Sequence, residues 1–237
     1  MSPELSIVVP AYNEGERLGP TLRRLLDHLV QRGDAVEVLV VDDGSRDATA
    51  EVARGFAAEG VRLLAHRVNR GKGAAVRTGL AASRGRRVLI TDADLSTPIE
   101  DLALLEPHLG DAELVLGSRG LAASRISERQ PLYREMMGKM FNRLVRLAGV
   151  RGIRDTQCGF KLLDGEAARR IAGELTVERF AYDVELVFLA RRLGYRVREV
   201  GVNWADSPAS RVHPLFDSLS MLSDLVRIRW RHRRRGR

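Results

Sequence analysis

Short apolar runs, each closed by a polar or glycine-bearing segment, recur through the first half of the chain. They lie at residues 5–10, 36–41, 61–65 and 88–91. Between them, apolar residues fall three and four apart over residues 18–32 and 72–84. A shorter run starts near Ser45 and Asp47 and continues through Phe56. The first pattern predicts buried strands and the second helices. β-Branched runs alternating with helices predict an α/β fold, a mostly parallel sheet flanked by helices.

Beyond residue 94 the alternation is less regular. Helices are expected at 98–109, 132–148, 166–171 and 184–193, and strands at 113–117 and 196–202. The polar stretch 119–130 reads as a mobile loop. A last helix is expected over 214–230, where Leu215, Leu219, Leu222, Val226 and Trp230 make one apolar stripe. The pattern divides the chain into an α/β domain, 1–212, and a C-terminal amphipathic helix with a basic tail, 213–237.

The 237 residues suffice for one large domain with a full core. One cysteine, Cys158, excludes an internal disulfide framework and fits a reducing compartment; beside Gly159 it reads as a packed thiol. The five histidines are scattered, so no zinc-type cluster is expected. Neither a leader nor a membrane-spanning run is expected. The net charge of +8 is concentrated at the C-terminal end, where residues 209–237 hold eight arginines against Asp217 and Asp224.

Ligands of parallel sheets bind beyond the carboxyl ends of the strands, and four such ends carry chemistry. The first is Pro10-Ala-Tyr-Asn-Glu14, with an aromatic face, an amide and a carboxylate. The second is Asp42-Asp43-Gly-Ser45, whose acids can accept from a nucleobase or ribose. The third is Asn69-Arg-Gly-Lys-Gly73, whose glycines allow close backbone approach and whose Lys72 can meet phosphate. The fourth is Asp92-Ala93-Asp94. Side chains two apart along a strand share a face, so these two carboxylates can reach one hard divalent cation. Singly, each is an ordinary turn or helix cap; what separates them from chance is that each follows a strand.

These segments, with Gly117-Ser-Arg119, Arg134 ahead of Phe141-Asn142, Asp155-Thr-Gln-Cys-Gly-Phe-Lys161 and Tyr182-Asp-Val-Glu-Leu186, resemble the family 2 glycosyltransferases. Within that family they are most similar to the polyprenyl- and dolichyl-phosphate sugar synthases, the glucosyl branch before the mannosyl one. The resemblance implies a GT-A fold and an inverting transfer of a hexose from a nucleotide-diphosphate sugar, UDP-glucose favoured, to a lipid phosphate. It implies that Pro10, Ala11, Tyr12, Glu14, Asp42, Asp43, Lys72, Asp92 and Ala93 bind the nucleotide sugar. Asp92 and Asp94 would hold Mg²⁺ or Mn²⁺, and Asp94, Arg119, Arg134, Asp155 and Arg211 would carry catalysis. Ser96 stands where some mannosyl members place a glutamine as a third metal ligand.

GDP-mannose as donor, or a soluble glycan or metabolite as acceptor, stays open. A neutral acceptor would need Asp155 or Asp183 as base. Asp155 and Asp183 read equally as sugar-hydroxyl- or arginine-orienting groups or as helix caps, and Trp204 reads as a packing residue. A nucleic-acid-binding protein using the basic tail is the non-enzyme alternative, but no nucleic acid is expected while the donor motifs stand. The basic end suits an anionic membrane surface with Trp230 at headgroup level, and packing of the stripe on the catalytic core, leaving a solvated basic tail, stays equally open. The enzyme is therefore expected in the cytoplasm, peripheral on the inner face of the membrane.

Overall fold

The computed structural model describes residues 3–33, 35–128, 152–206, 224–225 and 227–232. Its centre is a seven-stranded sheet in the order β3-β2-β1-β4-β7-β5-β8. The strands are β1 (Leu5–Ala11), β2 (Val36–Asp42), β3 (Val61–Ala65), β4 (Arg87–Ile90), β5 (Leu114–Ser118), β7 (Lys161–Asp164) and β8 (Val197–Gly201). Strands β6 (Arg125–Glu128) and β9 (Asn203–Ala205) form a small parallel pair of their own. In the main sheet β3, β2, β1 and β4 run parallel, as do β5 and β8, while β7 lies antiparallel between β4 and β5. The expected mostly parallel α/β sheet is the one found.

Strand periodicity explains the two covered faces. On β1, Ile7 and Val9 point into one core with Val38, Val40, Leu89 and Leu162. Helices α1 (Gly15–Arg32), α2 (Thr49–Gly55) and α4 (Leu102–Leu105) cover that side through Leu18, Leu22, Leu25, Ala53 and Leu102. Val8 points the other way, with Leu39, Val41, Val88, Ile90 and Leu163. There α3 (Lys72–Ala82), α5 (Gly165–Ala172) and α6 (Tyr182–Arg192) contribute Val76, Leu80, Ile171 and Leu186. Two apolar faces per strand are what turned these runs into unbroken hydrophobic sequence.

Several expectations need correction. Strand β7 and the β6–β9 pair were not foreseen, and part of the stretch read as a mobile loop is β6. The single helix at 98–109 is a 3₁₀ turn (Ile99–Asp101), α4, and a second 3₁₀ turn (Glu106–His108). Pro107, which has no N–H to donate, lies in the last of these. The helix expected from Ser45 begins only at Thr49, because Asp47 spends its carboxylate on the amide of Thr49, at 3.0 Å, and on Gly15. The helix expected at 132–148 lies outside the described residues.

Of the C-terminal stripe, Leu215, Leu219, Leu222 and Val226 also lie outside them. In the described helical residues 224–225 and 227–232 the buried side chains are Leu225, Ile228 and His232, while Trp230 is 60% exposed. The inward stripe therefore falls on Leu225, Ile228 and His232, at the same three-and-four spacing. Leu225 and Ile228 pack into the core under α6. No helix among the described residues is long and apolar enough to cross a membrane.

Candidate active site

Pro10 and Ala11 close β1 as buried residues, and Tyr12 and Glu14 follow half-buried. The loop they open is stapled to the loop after β2. The amide of Asn13 donates to Ser45 Oγ (2.8 Å), that of Arg46 to Asn13 Oδ1 (2.8 Å), and that of Glu14 to Thr49 Oγ1 (2.7 Å). The Glu14 carboxylate holds Arg17 through two bonds of 2.8 Å. Asp42, at the end of β2, accepts from the amide of Ser45 at 3.0 Å.

Asp43 turns inward. Its carboxylate accepts from the amides of Arg70 (3.0 Å) and Gly71 (2.7 Å) and lies 2.7 Å from His66 Nδ1. It therefore fixes the loop that precedes α3. The glycines of that loop allow the close backbone approach expected of them, and what approaches is the backbone of residues 177–179. A Cβ at 71 would stand 2.4 Å from the Glu178 carbonyl oxygen, and one at 73 would stand 2.3 Å from that of Val177. They let the loop lie on residues 177–179. The loop thereby delivers Lys72, at the start of α3, to Asp92, with Nζ 2.6 Å from Oδ1.

The acidic pair is not on a strand. β4 ends at Ile90; residues 92–95 form a turn closed by the Leu95 amide on the Asp92 carbonyl (3.2 Å), with Leu95 at φ 47°. Its position in the turn, not strand alternation, sets where each carboxylate points. Asp94 accepts from the amide of Ser96 at 3.0 Å, and the buried Ala93 accepts at its carbonyl from Thr21 Oγ1 at 2.6 Å. Gly159 lies directly against Asp92: a Cβ there would stand 2.1 Å from Oδ2. Below them the fully buried Lys161 contacts both the Asp183 carboxylate and the Cys158 carbonyl. Burial by itself would raise the Asp92 carboxyl; Lys72, then Lys161 and Arg119, pull it below the ordinary range. Burial likewise disfavours the charged Lys72, and Asp92, Asp183 and Asp94 outweigh it.

Arg119 follows β5 and is gripped by Asp155. Its Nε donates to Oδ2 (2.7 Å), its Nη2 to Oδ1 (2.9 Å) and its backbone amide to Oδ2 (3.0 Å). The guanidinium carbon stands 5.3 Å from the centre of the Trp204 ring, which is buried beneath it. Glu199 on β8 accepts from the Asp155 amide and the Ser118 hydroxyl, at 2.8 and 2.9 Å. Although burial opposes its ionisation, Arg119 holds the Asp155 carboxyl down at about 2. Cys158 is buried and its thiol is pushed up, mainly by burial, consistent with a packed side chain.

A model of the family described as "Glycosyl transferase family 2" matches residues 6–171, from β1 through the acidic pair to α5. The chain belongs to glycosyl transferase family 2. The dolichyl-phosphate beta-glucosyltransferase of Drosophila melanogaster is 42% identical to this glycosyltransferase over 241 residues, covering 95% of this chain and 74% of that protein. The enzyme of the same name from Mus musculus is 40% identical over 245 residues, covering 97% and 76%. Two solved folds are also similar. One is glucosyl-3-phosphoglycerate synthase from Mycobacterium tuberculosis, in complex with Mn²⁺, UDP-glucose and phosphoglyceric acid. Its TM-score is 0.66 at 21% identity, covering 95% of this chain and 78% of that one. The other is mannosyl-3-phosphoglycerate synthase from Rubrobacter xylanophilus, with a TM-score of 0.68 at 19% identity and coverage of 98% and 74%. The sheet is thus of the GT-A type.

In this family 2 glycosyltransferase the fold brings Lys72, Asp92, Asp94, Arg119 and Asp155 into one electrostatically coupled cluster beyond the strand ends. Arg134 and Arg211 lie outside the described residues. Sequence reasoning missed Gly159, Lys161, Glu199 and the brace between Asn13 and Ser45. The Asp155-to-Lys161 segment was singled out whole, but nothing in its composition said that its glycine would seat a carboxylate 67 positions upstream.

Proposed function

We propose that this chain is an inverting glycosyltransferase that moves glucose from UDP-glucose to a polyprenyl or dolichyl phosphate. The observation that carries the acceptor class is the state of the two carboxylates available as bases. Asp155 is locked on Arg119 and held at about 2, and Asp183 is buried on Lys161. Asp155 is thereby unfit to take a proton from a neutral hydroxyl, and Asp183, whose carboxyl burial pushes up, is occupied by the Lys161 ammonium. An acceptor that brings its own ionised phosphate oxygen needs no base, and dolichyl phosphate is the acceptor named for the relatives at about 40% identity.

In this reading the braced loops at Pro10–Glu14 and Asp42–Ser45 hold the nucleoside, and Asp43 holds the loop that carries Lys72. Asp92 and Asp94 fit a divalent cation in part. One oxygen of Asp92 already carries the Lys72 ammonium, and among the described residues no cluster of three or more His, Cys, Asp or Glu completes a protein-only shell. Diphosphate oxygens and water would supply the remaining ligands of Mg²⁺ or Mn²⁺. When bound, the cation neutralises charge developing on the departing diphosphate. Arg119, fixed by Asp155 and Trp204, orients an anionic phosphate without reorganising, and Arg134 and Arg211 are assigned to the same anions. One in-line displacement inverts the anomeric centre.

The basic C-terminal helix exposes Arg227, Arg229, Trp230 and Arg231. Arginines beside an interfacial tryptophan suit an anionic membrane surface, where the lipid acceptor resides. Residues 213–237 are on this reading a membrane-contacting appendage of the 1–212 catalytic domain, peripheral on the cytoplasmic face.

The test is transfer of labelled glucose from UDP-glucose to polyprenyl phosphate with Mg²⁺, beside Asp94→Ala and with GDP-mannose in parallel. Organic-soluble label from UDP-glucose, lost in the variant and on chelation, is expected. Label from GDP-mannose alone, or transfer only to soluble alcohols, refutes the assignment.

A further inference from the structure

Glu185 lies on α6, is fully buried, and has no part in the chemistry above. Its carboxylate accepts from the amides of Thr176 (2.8 Å) and Val177 (2.7 Å) and from the Thr176 hydroxyl (2.7 Å). The fourth partner comes from the far end of the chain: His232 Nε2, 2.7 Å away and buried. Arg192 Nη1 lies 3.2 Å from His232 Nδ1, so the geometry fits a ring accepting there and donating to Glu185. The Phe188 ring packs on the imidazole at 5.8 Å. A carboxylate this deep is tolerated only with its oxygens fully engaged.

The turn that Glu185 holds is the one on which the Lys72 loop rests. Beyond Val177 the backbone runs into the carbonyls that Gly71 and Gly73 approach, and the amide of Ala74 donates to the Glu178 carbonyl at 3.1 Å. Arg70 pairs with Glu178 at 2.7 Å, and Arg77 donates to the Leu175 carbonyl at 3.2 Å. The same loop ends in Lys72, 2.6 Å from Asp92. A continuous series of hydrogen bonds and close backbone contacts therefore runs from His232 through Glu185, residues 176–178 and Gly71–Gly73 to the acidic turn.

We propose that Glu185 and His232 are positioning residues, a buried pin through which the seated C-terminal helix sets the Lys72 loop and thereby the affinity for the sugar nucleotide. The part that concerns the donor rests on the reading of Lys72 and Asp92 given above. Coupling of this kind is reciprocal: what unseats the helix weakens donor binding, and donor binding tightens the helix. The helix faces two ways, with Leu225, Ile228 and His232 inward and Arg227, Arg229 and Trp230 outward. Contact made on its outer side thus has a route to the donor.

The full chain is compared with His232→Ala, His232→Gln and Glu185→Gln by thermal unfolding, ligand-free amide hydrogen exchange, and the KM for UDP-glucose against kcat. In folded His232→Ala, exchange over residues 71–76 should accelerate and donor KM should rise, each about tenfold, with kcat at saturation much less affected. His232→Gln, whose side-chain amide can still donate to Glu185, should recover most of both. Unchanged exchange over 71–76 in folded His232→Ala overturns the pin, as does a glutamine variant no better than alanine. Should His232→Ala fail to fold, Glu185→Gln carries the test on the same exchange readout, and unchanged exchange there overturns it too. If the wild type does not bind UDP-glucose, the donor reading fails, and the ligand-free exchange still decides the pin.

Discussion

Gly159→Ala puts one methyl group against the Asp92 carboxylate. The new Cβ would stand 2.1 Å from Oδ2, 2.4 Å from Cγ and 2.7 Å from Oδ1, where ordinary contact begins at 3.4 Å. The backbone around residue 159 is tied on both sides: Lys161 holds the Cys158 carbonyl, and the Gly117 amide donates to the Phe160 carbonyl at 2.9 Å. Asp92 must therefore yield by more than about 1 Å, and a misplacement of that size costs on the order of 100-fold in rate. Overpacking itself costs about 1–3 kcal/mol of stability. Initial rates of lipid glucosylation at saturating substrates, with thermal unfolding alongside, measure the two effects separately. Because the carboxylate is displaced and not removed, the rate should fall between wild type and Asp92→Ala. A Gly159→Ala enzyme within about threefold of wild type, with an unchanged melting temperature, refutes the claim that this glycine seats Asp92.

Other perturbations probe neighbouring contacts. The Asp155 carboxyl sits at about 2 in the fold against 3.8 without its partners. Its contribution, about 2 kcal/mol, is present above pH ~4 and is lost as pH falls toward 2. In an acid titration followed by circular dichroism, Asp155→Asn should be less stable at neutral pH and should lose stability less steeply across that window. Lys161→Met leaves Asp183 buried without its cation and should destabilise by about 3–5 kcal/mol, read in denaturant melts. The double variant with Asp183→Leu should recover part of that loss. Asp43→Ala strands the amides of Arg70 and Gly71, costing about 1–3 kcal/mol. Its donor KM should rise more than its kcat falls, because the Lys72 loop is released.

The sequence was most informative where side-chain alternation and strand-end chemistry coincide. The runs at 5–10, 36–41, 61–65 and 88–91 became β1 to β4, and the residues after them meet at one end of the sheet. β7 was hidden because it is four residues long and begins with a lysine, which as a sequence letter argues against a buried strand. Only the fold supplies the Asp183 carboxylate and Cys158 carbonyl that make Lys161 tolerable there. The glycines of Asn69-Arg-Gly-Lys-Gly73 were legible as sites of close approach but not as to what approaches, since the partner backbone lies more than 100 positions away. Alternation along the Asp-Ala-Asp segment did not apply because the strand ends at Ile90 and a turn begins at Asp92. Of the C-terminal helix, the pattern predicted an amphipathic element with Trp230 on its apolar stripe; Trp230 is exposed, and the buried positions Leu225, Ile228 and His232 form a second stripe of helical spacing that packing reveals.

The antiparallel β7 also governs the order in which the chain can be assembled. Among the described residues, β5 pairs only with β7 and β8, and the edge of β4 away from β1 is covered only by β7. During synthesis β1 to β4 can form their half of the sheet early, yet β4 keeps an open edge until residue 164 has emerged, some 70 residues later. From its completion at residue 118 until β7 emerges, β5 has neither of its described partner strands to join. Such long-range closure slows folding and leaves an aggregation-prone edge exposed. A four-residue strand thus works as the zip between two halves of the sheet, and the nascent enzyme is most vulnerable to mispairing just before it arrives.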